Sequence, residues 1–541
     1  MIASTNILRP TVVAPSDLSI LTGAELHGLE KYLADESRRQ GMADAIAFPA
    51  STAEVVAAVQ TATKASWPVT VSAARTGITA GAVPDGGLLL SLERLTAVRG
   101  LRQDSSGTFY LHCDAGVLLA EVQNGVRSAS FPDTSEWTPE SLAALEELKK
   151  HRLFYPPDPT ETSAAIGGTV ACNASGAHTF LYGPTRPYVQ RLVVVLADGR
   201  VLDLQRGTHF ADPDGRFGIA NADGTVTWGH APSYLWPRTK NSAGYFSSPD
   251  LDLIDLFIGS EGTLGIITEV EIRLVPAPET NCAIMTFWAD EPTALAFTAA
   301  LRGRRQELGV EAIEYVDPNA LGMLRERRDT LGAASGIPAC LPATAQAAIY
   351  LDIGTATDSL TTVLTELAAL IQASGGNPEE CWSAMERDER ERLRVFRHAL
   401  PETVNSIIAE ARKTHPGITK LGTDMAVPDE HLERIIAVYR EKLDQAGLKY
   451  VIFGHIGNNH LHVNILPRNP EDYAAGWELY HEFAETVVEL GGSPAAEHGI
   501  GKLKPDFLRL LVGDQGIEQM RAVKKVFDPA GILGVGTLFA A

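Results

Sequence analysis

Apolar positions along this chain recur with two periods, near two in short runs and near 3.6 in longer ones, and the alternation of the two predicts its elements. Short apolar runs around 46–51 and at 68–74 (PVTVSAA), 88–92 (LLLSL) and 109–116 (FYLHCDAG) predict strands. The stretch 52–67, TAEVVAAVQTATKASW, predicts a helix that Thr52 caps ahead of Glu54. RLVVVLADGRVLDL at 191–204 predicts two strands turning at Asp198-Gly199. Between them, 129–151 predicts a loop that enters a helix capped by Thr138 with Pro139 at its first position. Residues 207–240, rich in Gly, Asp, Pro and aromatics, predict a long surface excursion.

The order changes beyond VPAPET at 275–280. Strands at 282–288, 312–316 and 346–353 alternate with helices at 290–308 and 358–374, which predicts a second α/β sandwich, with Pro276 and Pro278 marking the linker. Near the C-terminal third lies 450-YVIFGHIGNNHLHVNIL-466, two apolar runs meeting at Asn458-Asn459. Asparagine tolerates the positive φ of a two-residue hairpin turn. A turn centred there pairs His455 with His462, their Cβ atoms about 5 Å apart on one face, close enough to share a metal ion. His460, His462 and Asn464 share that polar face, while Leu461, Val463 and Ile465 turn to the opposite, buried one. A solvated hairpin with incidental histidines fits the same pattern.

Length and charge narrow the function. A chain of 541 residues exceeds a single core, so two or more domains are expected. With 67 Asp+Glu against 46 Lys+Arg, a net charge of −21 repels nucleic-acid phosphates and anionic lipid over most of the surface. The 5 cysteines, at 113, 172, 282, 340 and 381, form no CxxC, so neither an iron-sulfur cluster nor a disulfide framework is read, and a reducing cytoplasm fits best. No transmembrane segment is expected, since no apolar run approaches the ~20 residues of a span.

Three glycine-bearing stretches bring in chemistry: TGITAGAVPDGG at 76–87, PPDPTETSAAIGGTVACNASGAHTFLYG at 156–183, and FIGSEGTLGIIT at 257–268. Loops of the first kind converge backbone N–H groups on phosphate oxygens, and glycine permits close approach. Small residues Asn173, Ser175 and Gly176 in the second suit a segment lying against a flat or close-packed group. Together with YPPDPT, KNSAGY, GHIGNNHLH, AEHGIGKLK and KKVFDPAGIL, these stretches resemble the FAD-linked 2-hydroxy acid dehydrogenases of the vanillyl-alcohol-oxidase flavoprotein superfamily. The resemblance runs from about 46 to 533 and is closest to the D-lactate dehydrogenase, D-2-hydroxyglutarate dehydrogenase and glycolate oxidase group.

That resemblance implies an α+β protein: a two-subdomain FAD-binding domain over 1–275, an antiparallel-sheet α/β-sandwich cap over 276–500, and a segment, 501–541, returning to the FAD domain. It implies that Thr76, Gly77, Ile78, Thr79, Ala80 and Gly81 bind the pyrophosphate. Pro157, Asp158, Thr160, Gly167, Gly168 and Thr169 would line the FAD, and Gly262 and Ile267 would flank its adenosine half. The family's Arg-Gly-x-Gly is replaced by Ser72-Ala73-Ala74-Arg75, leaving two expectations, a phosphate contact from Arg75 or a differently shaped loop. The loop contains no histidine, so FAD is expected to be non-covalent. Gly534-Val535-Gly536 stands where the family has Asn-Pro-Gly. In the hairpin, Asn458 replaces an aspartate of His-x-Gly-Asp-Gly-Asn-x-His, and His460 adds a third imidazole to which no role attaches.

The resemblance further implies oxidation of a D-2-hydroxy acid, lactate or a relative, with hydride passing to flavin N5. A divalent metal, zinc first with iron or manganese as alternatives, is expected on His455, His462 and Glu497. His498 would be the base, Arg397 and then Lys420 the carboxylate anchors, and Asn464 a further substrate contact. Electrons would leave to an external acceptor or electron-transfer protein; a homodimer and attachment to a membrane through such a partner are also admitted. Three other readings stay open: a non-redox flavoenzyme like alkyl-dihydroxyacetone-phosphate synthase, a non-catalytic flavin-binding subunit, and a metal hydrolase without flavin.

Overall fold

The computed structural model describes residues 6–159, 161–338 and 341–540. Three β-sheets frame the site. A four-stranded sheet, ordered Ile20–Thr22, Ala45–Ala47, Leu88–Ser91 and Val69–Ser72, keeps its last three strands parallel, as the helix Thr52–Ala65 crossing between Ala45–Ala47 and Val69–Ser72 requires. That helix is capped by Ser51 rather than Thr52: Ser51 Oγ accepts the Glu54 N–H at 3.2 Å, one residue earlier than the sequence suggests. Thr138 does cap its helix, Pro139–Leu148, accepting the Ser141 N–H at 3.2 Å.

A six-stranded sheet packs beside the first. Its inner strands, Val189–Val195, Ile266–Arg273 and Phe109–Asp114, are antiparallel, and the Asp198-Gly199 turn joins Val189–Val195 to Arg200–Gln205 as expected. The 207–240 excursion contains more order than its composition suggests. Arg216–Ala220 and Val226–His230 form a hairpin, and the first of these strands pairs in parallel with Ile7–Leu8. The C-terminal stretch also meets this half, for Val69 N–H donates to Ile532 O at 2.7 Å and Gly534 N–H donates to Val69 O at 2.9 Å.

The third sheet has eight strands, antiparallel throughout: Trp382–Ala384, Thr280–Trp288, Ala347–Thr355, Val310–Val316, Tyr450–His455, His460–Ile465 and Leu421–Gly422 in order, with Met425–Ala426 also on His460–Ile465. Alternation along each strand feeds two separate cores. Cys282, Ile284, Ile349, Leu351, Ile452 and Val463 pack with the helices Glu291–Arg302, Leu360–Ala373, Leu432–Gln445 and Pro470–Glu489. Ala283, Met285, Ala348, Tyr350 and Val451 pack on the opposite face with Pro318–Leu331 and Arg387–Thr414. Glu314, His455, His460 and His462 fall, by the same period, on this second face, where Arg387–Thr414 carries Arg397 across it. Among the described residues no helix is long and apolar enough to cross a membrane.

The hairpin corrects one expectation. His455 pairs with His460 and Phe453 with His462, because Ile456–Asn458 forms a 3-10 turn and Asn459, at φ +52°, closes a four-residue loop. The buried Arg302 guanidinium donates to Ile456 O and Asn459 Oδ1, and Asn459 Nδ2 donates to Asp429 Oδ1 at 2.7 Å, so the longer loop is held from outside. The change of pairing preserves parity, which is why the polar and apolar faces stay as expected.

Candidate active site

A cleft of about 350 Å³ lies between the two N-terminal sheets. Arg75 to Thr79, Gly81, Gly167, Gly168, Thr169, Ser175, Gly262 and Ile267 line it, together with Glu497 and His498 from the far end of the chain. Gly262 adopts φ +74°, a conformation that disfavours a side chain, and a methyl group on Gly167 would lie 2.5 Å from Ala115 Cβ. Asp35 Oδ2, Ser72 Oγ and Ser175 Oγ are buried on this cleft without a hydrogen-bond partner among the described residues. Hydroxyl and phosphate groups of a dinucleotide meet that need, so the residues present fit FAD.

Not every expected contact reaches the cleft. Ala80, Pro157, Asp158, Asn173 and Gly176 are outside its lining, and Thr160 lies outside the described residues. Asp158 accepts the His178 N–H at 3.1 Å, Asn173 Oδ1 accepts the Arg186 N–H at 3.0 Å, and Gly176 abuts the Asp158 carbonyl. The Arg75 side chain turns to Ala73 O, at 2.9 Å, and stacks 4.5 Å over the Tyr32 ring, while its backbone takes φ +60°.

At one end of the cleft, three imidazoles converge. The ring centroids of His455, His460 and His462 lie 4.5–5.6 Å apart, and each residue offers a ring nitrogen within 4.8 Å of the others'. Glu497 Oε2 is 3.4 Å from His455 Nε2 and 3.5 Å from His460 Nδ1. The same oxygen contacts the buried Lys240 ammonium, which also donates to Gly176 O at 3.1 Å. Imidazole and carboxylate are a donor set for borderline divalent ions, so these residues fit such a metal.

Two carboxylates outside this cluster organise it. Glu314 Oε1 accepts from His455 Nδ1 at 2.5 Å while its other oxygen meets Arg397 at 3.1 Å, so the guanidinium expected to hold substrate is paired here with a protein carboxylate. Fully buried Asp424 accepts the Glu497 and His498 backbone N–H groups, each at 3.0 Å, and the Lys504 ammonium at 3.0 Å. The His498 ring stacks on His462 at 5.5 Å and 8°, which places it between the cleft and the histidines. Asn464 shares the histidine face, and its Oδ1 is buried without a hydrogen-bond partner among the described residues. Exposed Lys420 precedes the strand Leu421–Gly422, whose Gly422 pairs with Asn464.

These surroundings set the charges. Burial opposes a proton on His455, but Glu314 outweighs it and lifts the imidazole to about 9. Burial, with His460, His498 and His455 close by, keeps His462 neutral well below the ordinary imidazole range. Burial also pushes His498 down to about 4 against the pull of Asp424. For Glu497, burial favours the neutral acid, yet Lys240 and His455 hold it ionised.

Comparison with known proteins bears on this site. Residues 277–538 match the C-terminal domain of FAD linked oxidases, and 43–132 with 141–205 match an FAD binding domain. The chain belongs to the FAD-linked oxidase family. Members similar to it along their length include the glycolate oxidase subunit GlcD of Bacillus subtilis (strain 168), 26% identical over 93% of this chain and 90% of that one. The D-lactate dehydrogenase of Anaerostipes hadrus is 26% identical, covering 96% and 94% of the two chains. The D-2-hydroxyglutarate dehydrogenase of Xanthomonas citri pv. viticola is 28% identical, covering 94% and 92%. An alkyldihydroxyacetonephosphate synthase structure shares the fold, with TM-score 0.62 over 97% of this chain and 88% of that one at 14% identity.

Glu314, Asp424, Lys240 and Lys504 were missed as site residues. Lys240 and Asp424 sit in KNSAGY and KLGTDMAVP, where a charged residue amid small and apolar neighbours was the available signal. Glu314, in a strand buried at every position from Val310 to Val316, carried the same signal.

Proposed function

We propose that this FAD-linked oxidoreductase oxidises a D-2-hydroxy acid, lactate or a close relative, to the 2-oxo acid. FAD would occupy the glycine-lined cleft non-covalently and supply the hydride acceptor. A divalent metal, zinc first, would be held by His455, His462 and Glu497 and acidify the substrate hydroxyl. The observation that supports this reading most is the position of His498, on the flavin cleft and stacked against the histidine cluster.

His498, unprotonated near neutral pH because of its burial, has a ring nitrogen free to take the hydroxyl proton. Asp424 fixes the His498 backbone and lies 3.5 Å from its Nδ1, which orients the ring for that transfer. Arg397, on the same sheet face as His455, is the anchor for the substrate carboxylate, and entry of that anion loosens its pairing with Glu314. Asn464 offers an amide to the substrate from the next position along the strand face, and Lys420 adds charge at the approach. Steady-state turnover with an artificial electron acceptor tests the assignment. Wild type should reduce the acceptor with D-2-hydroxy acids, and His498→Ala should lose about 10²- to 10⁴-fold in kcat with FAD still bound. A His498→Ala enzyme as fast as wild type overturns the role of the base.

A further inference from the structure

His460 has no place in the two-histidine, one-carboxylate set proposed above, yet its surroundings resemble those of the other two imidazoles. Each has one ring nitrogen beside a protein acceptor: His455 Nδ1 is 2.5 Å from Glu314 Oε1, His462 Nδ1 is 2.9 Å from Thr423 O, and His460 Nε2 is 3.1 Å from Asp424 Oδ1. An acceptor at that distance favours the proton on the nitrogen facing it and leaves the other nitrogen as a lone pair. In the metal-bound state, which His455 reaches by releasing its second proton, the lone pairs are then Nε2 of His455, Nδ1 of His460 and Nε2 of His462. The first two are also the nitrogens nearest Glu497 Oε2, at 3.4 and 3.5 Å.

His460 is fully buried, and its Nδ1, the nitrogen turned toward Glu497, completes no hydrogen bond among the described residues. A buried polar group in that state costs stability unless something coordinates it. Glu497 is meanwhile shared, because the Lys240 ammonium contacts the oxygen that faces the histidines. A cation centred among these residues therefore meets three imidazole nitrogens and a carboxylate whose charge is already partly balanced.

We propose that the metal site of this protein is a three-imidazole site, with His460 Nδ1 a direct ligand beside His455, His462 and Glu497. The inference rests on the metal-dependent reading above and extends it. A third nitrogen ligand in place of the amide found at this position in the resembling family favours zinc, cobalt or nickel over manganese, since imidazole suits the later first-row ions and oxygen donors suit manganese. Asp424 becomes the outer carboxylate of His460, as Glu314 is of His455.

The test uses the flavin-loaded full-length protein reconstituted with zinc. X-ray absorption of wild type counts the imidazole ligands without any mutation, and three are expected. A chelator-competition titration compares wild type with His460→Asn and His460→Gln. Loss of an outer partner alone costs about 10- to 100-fold in metal affinity, so loss of a ligand should cost at least as much. Zinc preference over manganese should shrink in the same variants. Two imidazoles in wild type together with unchanged zinc affinity in both variants overturn the proposal and leave the metal reading standing. Wild type that takes up no stoichiometric metal overturns both. Flavin content and circular dichroism of the variants identify any that fail to fold, and for those the ligand count of wild type decides.

Discussion

Glu314→Gln is the perturbation that most cleanly tests how this site is held together. The carboxylate is 6% exposed in its side chain, and its two oxygens serve different cations, His455 on one side and Arg397 on the other. Burial opposes the ionised form, but Arg397 and His455 hold it at about 2, so it is charged throughout the neutral range. Glutamine keeps the shape and one acceptor oxygen but turns an N–H₂ group toward one of the two donors. One charge-assisted hydrogen bond is lost outright, worth about 1.5–3 kcal/mol. Arg397 retains Tyr350, 5.7 Å from its guanidinium, so the remainder of the penalty is partly offset and a net loss of about 2–3 kcal/mol is expected. Because His455 faces at best a neutral amide oxygen where it had a carboxylate, metal affinity should fall by about 10- to 100-fold. Urea unfolding at neutral pH and a chelator titration read the two effects separately. Wild-type stability with wild-type metal affinity would refute the assignment of Glu314 as the link between Arg397 and His455.

Lys240→Met removes the buried cation from Glu497 and should destabilise metal-free protein by about 3–5 kcal/mol, with added zinc restoring part of the loss in urea unfolding. Glu261 accepts the Ile500 and Gly501 N–H groups at 2.8 and 2.7 Å on the wall of the flavin cleft, and burial lifts its carboxyl to about 7. A pKa raised above its unfolded value contributes stability that is complete below about 4.5 and is lost as pH rises through about 7, by at most about 3 kcal/mol. Unfolding of flavin-free protein at pH 5 and pH 8 should show that loss, and Glu261→Gln should flatten it.

Period and glycine placement made most of the architecture legible. Alternation in VVVLADGRVLDL and QAAIYLDI gave the right strands, and the shift past Pro276 marked the start of the eight-stranded sheet. The parity of the histidine strand survived a wrong turn because apolar burial, not the turn, decides which face looks inward. The turn itself was not legible, since its length depends on Arg302, far away in sequence, donating to Ile456 and Asn459. Convergence hid the rest of the site. Glu314, Asp424 and Lys240 are isolated charges in their own segments, and their meaning comes only from partners brought up by other elements. Arg397 was expected as a substrate anchor, but its pairing with Glu314 depends on the helix Arg387–Thr414 packing over the sheet face that carries Glu314, which no local pattern records. Ser51 rather than Thr52 as the helix cap is a one-position error of the kind that adjacent hydroxyl residues invite.

Anaerobic mixing of flavin-loaded, metal-replete enzyme with 2-hydroxy acids tests the account most directly. D-lactate, D-2-hydroxyglutarate and their L-isomers are added singly while the visible flavin absorbance is followed. The account predicts that at least one D-isomer bleaches the flavin stoichiometrically, with the matching 2-oxo acid formed in equal amount, and that its L-isomer does not. A flavin that no D-2-hydroxy acid reduces would contradict it and favour a non-redox use of the same fold.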